Sequence, residues 1–475
     1  MNHPKLILTV LFALFLFKGF SQDRFVDTTL FTVEELQEDF IFWRNQLEKN
    51  HPILYQYNSK ESFEKYFDSL YTEIDEEMSR AEFFRLIGPS SFFVKCSHSQ
   101  VQSTAKMSDC IMNSPIMIPV DIRWYSDTAY ISYNYTGLKE LNEGTIIRAI
   151  NGVKMSDMHA QFLTLLPRDG YSTQYPKYWV NRQFYHYYHL WYDMHEIYEF
   201  EILTNGKTEK ISALGMPVEA MDSIIEDRPE IGLEKPEKIQ LEIIDSIKTA
   251  YLQIGSFTAA DIKNNNGKKW KKMIDSCFRE IDISKSESLI IDLQENGGGS
   301  PNFAWYLCRS FMNEEFVFKA EFRKLRNHSK SEFAERSKET LLKDKTAGIT
   351  QPLKNAFKGE VYLLIDGGSS SASAEVASVV MRYNRGTIIG EEAGGSPWLI
   401  SSRWFYVRTL RLPNTKLIYS APRRTYVLGA DYTKDTGFGT IPGIIVQPTI
   451  NTYLAGKDLA LIKALELIES KHKQR

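Results

Sequence analysis

The stretch that most restricts how this chain can fold is Val361-Tyr-Leu-Leu-Ile365, followed by Asp366-Gly-Gly-Ser-Ser-Ser-Ala-Ser-Ala-Glu375. The apolar run has the length and residue types of a buried strand, and Gly367-Gly368 breaks it at once. From Ala372 to Met381 small and apolar residues recur at helical spacing. Glu375 falls in the first turn, where the positive end of the helix dipole favours an acid. The segment therefore predicts a strand, a sharp serine-rich turn and a helix. A serine on such an elbow sits beside backbone N–H groups that no helical carbonyl reaches, and those donors stabilise an oxyanion as charge develops. The same serine also serves simply as a helix cap. Neither Ser-x-x-Lys nor Gly-x-Ser-x-Gly is present here, so any activating base must come from elsewhere in the chain.

A chain of 475 residues is too long for one core, and two or three domains are expected. The formal net charge is −3, and Lys/Arg-rich stretches are short and mixed with acids, which argues against nucleic acid or a polybasic membrane patch as partner. Residues 1–21 read as a secretory signal peptide. Lys5 gives a short basic start, Leu6 to Phe17 is apolar apart from Thr9, and Gly19 and Ser21 supply the small residues of a cleavage site. The mature chain is expected to begin near Gln22, in the periplasm or outside the cell. The apolar core is too short to span a bilayer and no later stretch is long enough, so no stable membrane span is expected. Of the four cysteines, Cys96, Cys110, Cys277 and Cys308, a Cys96–Cys110 bridge is possible by separation. Four free thiols are the expected state, because a protein this large needs no staple.

Residues 22–113 read as an N-terminal helical domain, with Thr32 able to cap a helix ahead of Glu34-Glu35. It ends in Phe92 to Val101, which carries His98 between Ser97 and Ser99. A histidine beside a hydroxyl is a candidate general base, and an ordinary surface residue is the plain alternative. Residues 114–216 look β-rich. Two alternating runs lie between Ile116 and Tyr135, a strand at Gly144–Ile150 meets the hairpin signal Asn151-Gly152, a helix follows from Met155 to Leu166, and Glu199–Leu214 folds back at Asn205-Gly206. This order resembles a PDZ domain, although the Gly-Leu-Gly-Phe-like loop that holds a terminal carboxylate is not apparent near Ser132 to Leu138. Tyr171 to Tyr198 is dense in aromatics and carries His186, His189 and His195, whose spacing suits a metal only if helical. Stacked aromatics of an insertion are the expected reading, with no metal and no cofactor. Residues 217–240, with Pro217, Pro229 and Pro236, read as a linker.

Residues 241–475 alternate strands and helices, which predicts an α/β domain with a mainly parallel sheet covered on both faces. Ligands of such sheets sit beyond the carboxyl ends of the strands, where both glycine breaks fall, Asn296-Gly297-Gly298-Gly299 and Gly367-Gly368. The first lacks the Lys-Ser/Thr of a phosphate-binding loop and the spacing of a dinucleotide fingerprint.

Leu289 to Gly299, the serine elbow and Gly386-Thr-Ile-Ile-Gly-Glu-Glu-Ala-Gly-Gly395 together resemble the C-terminal processing, or tail-specific, serine peptidases, including the tricorn core and secreted bacterial relatives. The resemblance implies a multidomain α/β protein of ClpP/crotonase-like type with a PDZ-like module. It implies hydrolysis of a peptide or unfolded protein through an acyl-enzyme. By position it assigns the nucleophile to Ser371, with Ser373 as runner-up, and the oxyanion hole to the N–H of Ala372 and of Gly297 or Gly298. One branch of the family uses a lysine after the Gly-Glu segment, and here that place reads Gly395-Ser396-Pro397. The other branch uses a histidine from the N-terminal part, which maps to His98 beside Ser97. Asp435 and Asp431 are candidates for the acidic member, since the family's late Pro-Asp is Pro442-Gly443 here, while Glu391 and Glu392 match a family feature, with a structural role as the plain alternative. A non-catalytic protein binding a peptide or small ligand on the same fold is the alternative.

Overall fold

A computed structural model describes residues 29–226, 239–258, 268–320, 344–401, 410–422, 425–429 and 432–474. The expected signal peptide and Asp431 lie outside the described residues. The first helix, Val33–Asn50, begins where the sequence predicts. Thr32 Oγ1 accepts the Glu35 N–H at 3.3 Å and the Glu35 carboxylate accepts the Thr32 N–H at 3.0 Å, a closed capping box. The helix buries Leu36, Phe40, Trp43 and Leu47, and helices Lys60–Thr72 and Arg80–Ile87 cover them with Phe63, Phe67, Phe83 and Phe84.

This core does not stop near residue 113. One cluster runs from Phe31 and Trp43 into Ile122, Ile131 and Phe200 of the β-rich part, and on to Leu412, Leu417 and Tyr419. The expected helical and β-rich units therefore share a core, because a sheet with one apolar face must bury it against another layer. That sheet runs Val120–Tyr125, Thr128–Asn134, Ile146–Ile150, Ile197–Thr204, Lys207–Leu214, all neighbours antiparallel, with Val153–Lys154 added beside Ile146–Ile150. Asn151-Gly152 and Asn205-Gly206 turn with positive φ at both positions, which matches the twist of the flanking strands. The following helix is Met155–Thr164, and the aromatic stretch folds into helices Gln174–Arg182 and Phe184–Trp191. His189 Nε2 accepts the Ile118 N–H at 3.1 Å, and burial pushes its imidazole down to about 3, so it is a neutral core residue. Among the described residues no group of His, Cys, Asp and Glu is arranged to hold a metal ion.

The expected linker is partly structured. Val218–Glu226 is helical directly after Pro217, a residue compatible with a helix start, and Met221 packs into the core. Ile239–Ile244 is already the edge strand of the second large sheet. That sheet continues through Thr249–Ile254, Ser288–Asp292, Glu360–Ile365, Thr387–Gly390 and Ile444–Ile445. Its first pair is antiparallel and the others are parallel, so the expected α/β domain is present. Helices Lys268–Ile283, Pro301–Phe311 and Ala372–Arg382 pack on one face, and Leu459–Gln474 buries Ala460, Ala464 and Ile468 on the other.

The two halves are stitched together by a late excursion of the chain. Strand Ile418–Ser420 pairs antiparallel with Gln100–Gln102, beside His98. Its approach is fixed by buried Asp39, which accepts the Asn414 N–H at 2.7 Å, the Thr415 N–H at 2.8 Å and the Thr415 hydroxyl. The four cysteines are free, Cys96 and Cys308 among buried groups. No described helix is long and apolar enough to cross a membrane.

Candidate active site

Strands Ser288–Asp292 and Glu360–Ile365 are parallel neighbours, so the two glycine breaks meet at their carboxyl ends. The Asp366 carboxylate joins them, with Oδ1 accepting the N–H of Glu295 at 2.9 Å and of Gly368 and Ser369 at 3.0 Å. Beyond it, Ser371 takes φ +52 and ψ −118, and helix Ala372–Arg382 starts at the next residue. A positive φ at a non-glycine residue costs on the order of 1–3 kcal/mol and persists only where the surroundings enforce it. The other serines of the elbow are committed or buried away. Ser369 Oγ donates to the Leu293 carbonyl at 2.7 Å, Ser370 Oγ lies 3.4 Å from the Gly297 carbonyl, and Ser373 is fully buried in the helix. Ser371 is half-buried, makes no side-chain cap, and faces a cavity of about 330 Å³.

That cavity brings together Ser371, Ala372, Ser97, His98 and Gly297 to Gly299, which the sequence scatters over three regions. Gly298 lies directly against the elbow and its N–H donates to Asn296 Oδ1 at 2.9 Å. Gly297 is exposed, with open space where a side chain would stand. The Ala372 N–H belongs to the first turn of its helix, beyond reach of any helical carbonyl.

His98 arrives from the other half of the molecule, on the turn between helix Ser90–Phe93 and strand Gln100–Gln102. Its Nδ1 is 3.1 Å from Ser97 Oγ, and its carbonyl accepts the Ser420 hydroxyl at 3.3 Å. Beneath this turn Asp169 Oδ1 accepts the Ser97 N–H at 2.7 Å. The Asp169 carboxyl is 7% exposed and its Oδ2 has no hydrogen-bond partner among the described residues. Burial pushes it up to about 6, against hydrogen bonding from Ser97 and Ser396 that pulls it down. A Cβ placed on Gly395 would lie 3.5 Å from the Ser371 N and 3.7 Å from Asp169 Oδ2, so only this glycine separates the elbow from the buried acid.

Asp435, the acid expected from the sequence, stands differently. It accepts the Tyr57 hydroxyl and the Gly437 N–H, and Ser396 Oγ is 3.4 Å away. Asp169 is therefore the carboxylate in direct contact with the Ser97-His98 pair. Sequence reasoning passed over it because Pro167-Arg-Asp-Gly170 reads as an ordinary turn, 72 positions from Ser97. Lys319 was missed as well: it lines the Ser371 cavity with Glu375 but follows an unremarkable stretch.

Glu392 Oε1 accepts the Gly439 N–H at 2.7 Å. Glu391 lines a separate cavity of about 390 Å³ between the two large sheets, which contains neither Ser371 nor His98. Burial, with Asp366 adding and Lys177 opposing, pushes Glu391 up to about 7.

Comparison with known proteins agrees with this architecture. A 126-residue stretch is 27% identical to the tail-specific protease of Haemophilus influenzae, covering 26% of this chain and 15% of that protein. The chain thus matches less than a fifth of the length of this relative. The fold is similar to that of mature CPAF complexed with lactacystin, at TM-score 0.62 and 14% identity over 93% of this chain and 98% of that one. It is equally similar to mature CPAF, at TM-score 0.61 and 13% identity over 91% and 96%. Residues 248–424 match the model of peptidase family S41. Over residues 248–424 the chain is thus similar to peptidase family S41, in keeping with its likeness to a tail-specific protease.

Proposed function

We propose that this chain is an exported serine endopeptidase that hydrolyses peptides or unfolded proteins through an acyl-enzyme. The observation that carries the reading is a strained Ser371 at a helix start, opening into one cavity with His98. Ser371 Oγ attacks the peptide carbonyl carbon while His98 takes its proton. Since Nδ1 faces Ser97, Nε2 is the accepting nitrogen. The carbonyl oxygen becomes an oxyanion held by the Ala372 N–H and the Gly297 N–H, because the Gly298 N–H is engaged by Asn296. Collapse breaks the C–N bond, and His98 returns the proton to the leaving amine. Water then attacks the ester, again with His98 as base, and restores Ser371. Asp169, anionic near neutral pH behind Ser97, favours the imidazolium as it forms. Export rests on residues 1–21, and the sheet Val120–Leu214 with helix Met155–Thr164 is the PDZ-like module.

The decisive experiment is labelling with a fluorophosphonate probe and mapping of the modified residue by mass spectrometry. Wild type and Ser373→Ala are expected to label at Ser371, and Ser371→Ala not to label. Folded wild type that fails to label would remove the hydrolase reading and favour a binding protein.

The buried acid gives a second test with opposite signs for activity and stability. Asp169 is ionised above about pH 6, so kcat/KM is expected to fall as pH drops through that value and the anion behind the histidine is lost. For stability, the folded pKa lies above the ordinary carboxylate value of 3.8, so the folded state binds this proton more tightly than the unfolded one. The ionised carboxylate then costs about 3 kcal/mol of stability at neutral pH, a cost that fades as pH falls from about 6 to about 4. Asp169→Asn should lower kcat/KM about 10- to 100-fold near pH 7.5 and yet raise Tm there, with the gain in Tm shrinking toward pH 4.5. A variant that loses Tm and activity together would give Asp169 a purely structural role.

A further inference from the structure

The cleft beside Ser371 is also lined by a buried ion pair that the proposed chemistry does not use. Glu375 stands one helical turn beyond Ser371 on the same face, its N–H bonded to the Ser371 carbonyl at 3.0 Å. Lys319 enters just after strand Phe316–Val317, with Nζ 3.7 Å from Glu375 Oε1. Their side chains are 2% and 3% exposed, and both line the cavity with Ala372, Ile400, Ser401 and Tyr426. Either charge alone would be costly at that depth, and each is tolerated because the other offsets it.

The pair is not closed on itself. A separation of 3.7 Å is longer than a hydrogen bond, and Glu375 Oε2 has no hydrogen-bond partner among the described residues. The Lys319 ammonium carries three N–H donors, and the Tyr426 ring that it faces, with its centroid at 4.2 Å, offers a π surface. A buried donor and a buried acceptor thus stand side by side in the lining of the cleft, each with unused capacity.

We infer that Lys319 and Glu375 form the side-chain subsite next to Ser371, and that it selects a primary carboxamide, the side chain of glutamine or asparagine, at a residue flanking the bond that is cut. This rests on the peptidase reading above. A carboxamide presents an acceptor and a donor in one plane, so its oxygen accepts from Lys319 while its nitrogen donates to Glu375 Oε2. The pair is neutral as a unit. A cationic substrate side chain would meet Lys319 and an anionic one Glu375, so neither charge is favoured. An apolar side chain would leave both buried groups unpaired, and sites built to hydrogen-bond a substrate group discriminate strongly against analogues that lack it.

The test uses the full-length wild type and peptides randomised at both positions flanking the scissile bond, followed by kcat/KM on matched peptides carrying Gln, Leu, Lys or Glu there. Gln or Asn should be enriched at one flanking position, with kcat/KM for Gln about tenfold or more above Leu. In Lys319→Met/Glu375→Leu, which removes both charges together and strands neither, the order of Gln and Leu should reverse. Equal cleavage of Gln and Leu peptides by wild type would overturn the subsite, as would a folded double variant that still prefers Gln. Wild type that labels with fluorophosphonate but shows no carboxamide preference sinks the subsite and leaves the peptidase reading standing. Absence of labelling removes both.

Discussion

His98→Ala is expected to lower kcat/KM for peptide cleavage by about three to four orders of magnitude while the protein stays folded. The side chain sits on a short turn whose shape is set by the Ser99 N–H bonded to the Cys96 carbonyl at 2.9 Å, by Ser97 held on Asp169, and by the Ser420 hydroxyl on the His98 carbonyl. All three holds run through backbone or neighbouring residues, so truncating the imidazole leaves the turn in place. What disappears, in the mechanism proposed above, is the acceptor for the Ser371 proton. What remains is substrate binding and the oxyanion donors, which account for the residual rate. Steady-state kinetics on a cleaved peptide, with Tm as the folding control, measures the effect. Added imidazole should restore part of the loss by entering the vacated space. A variant with wild-type rates would put the base elsewhere.

The second large effect is expected at Gly298. Its φ is +93, and a Cβ there would stand 2.7 Å from both the Ser370 carbonyl oxygen and Ser371 Cβ, and 2.8 Å from the Ala372 N. These are backbone atoms and the Cβ of Ser371, the proposed nucleophile, not the flexible end of a side chain. Gly298→Ala must therefore push the Asn296–Gly299 turn away from the elbow or twist Ser371 out of its strained conformation. Displacement by an ångström in this region would separate the proposed nucleophile from its proposed base, so kcat is expected to fall by about 100-fold or more. Strain should also cost about 2–4 kcal/mol of stability. Gly297→Ala is the control, since a Cβ there meets nothing within 4 Å, and its stability should stay near wild type. Chemical denaturation and peptide kinetics on both variants separate the outcomes. An active, stable Gly298→Ala would mean that the close approach of the two turns is dispensable.

Much of the architecture is legible in local pattern. The Thr32 capping box, the hairpin turns at Asn151-Gly152 and Asn205-Gly206, and the strands of the parallel sheet depend on residues a few positions apart, and each forms as the sequence predicts. Two expectations needed revision, because they concern packing and not periodicity. The helical and β-rich stretches share one core, and the presumed linker contributes helix Val218–Glu226 and the edge strand Ile239–Ile244. A proline suggests a break when read alone, yet at the start of a helix it costs nothing.

The sequence by itself determines the serine elbow. An apolar strand, two glycines and a run of small helical residues predict a strand, a serine-rich turn and a helix, and the same logic gives the second glycine turn at Asn296–Gly299. The positive φ that singles out Ser371 among the elbow serines is a feature of the folded chain. Tertiary structure alone decides what stands around it. Ser97 N–H reaches Asp169 across 72 positions, Ser420 reaches His98 across 322, and Asp39 ties Thr415 across 376. Lys319 meets Glu375 in the same way, from a different element. Short-range rules read dihedral preference and periodicity, which act within a turn or two of chain. A buried carboxylate or ammonium acquires its role from the groups that desolvate and pair it, and the folded core selects those groups without regard to their order in the sequence.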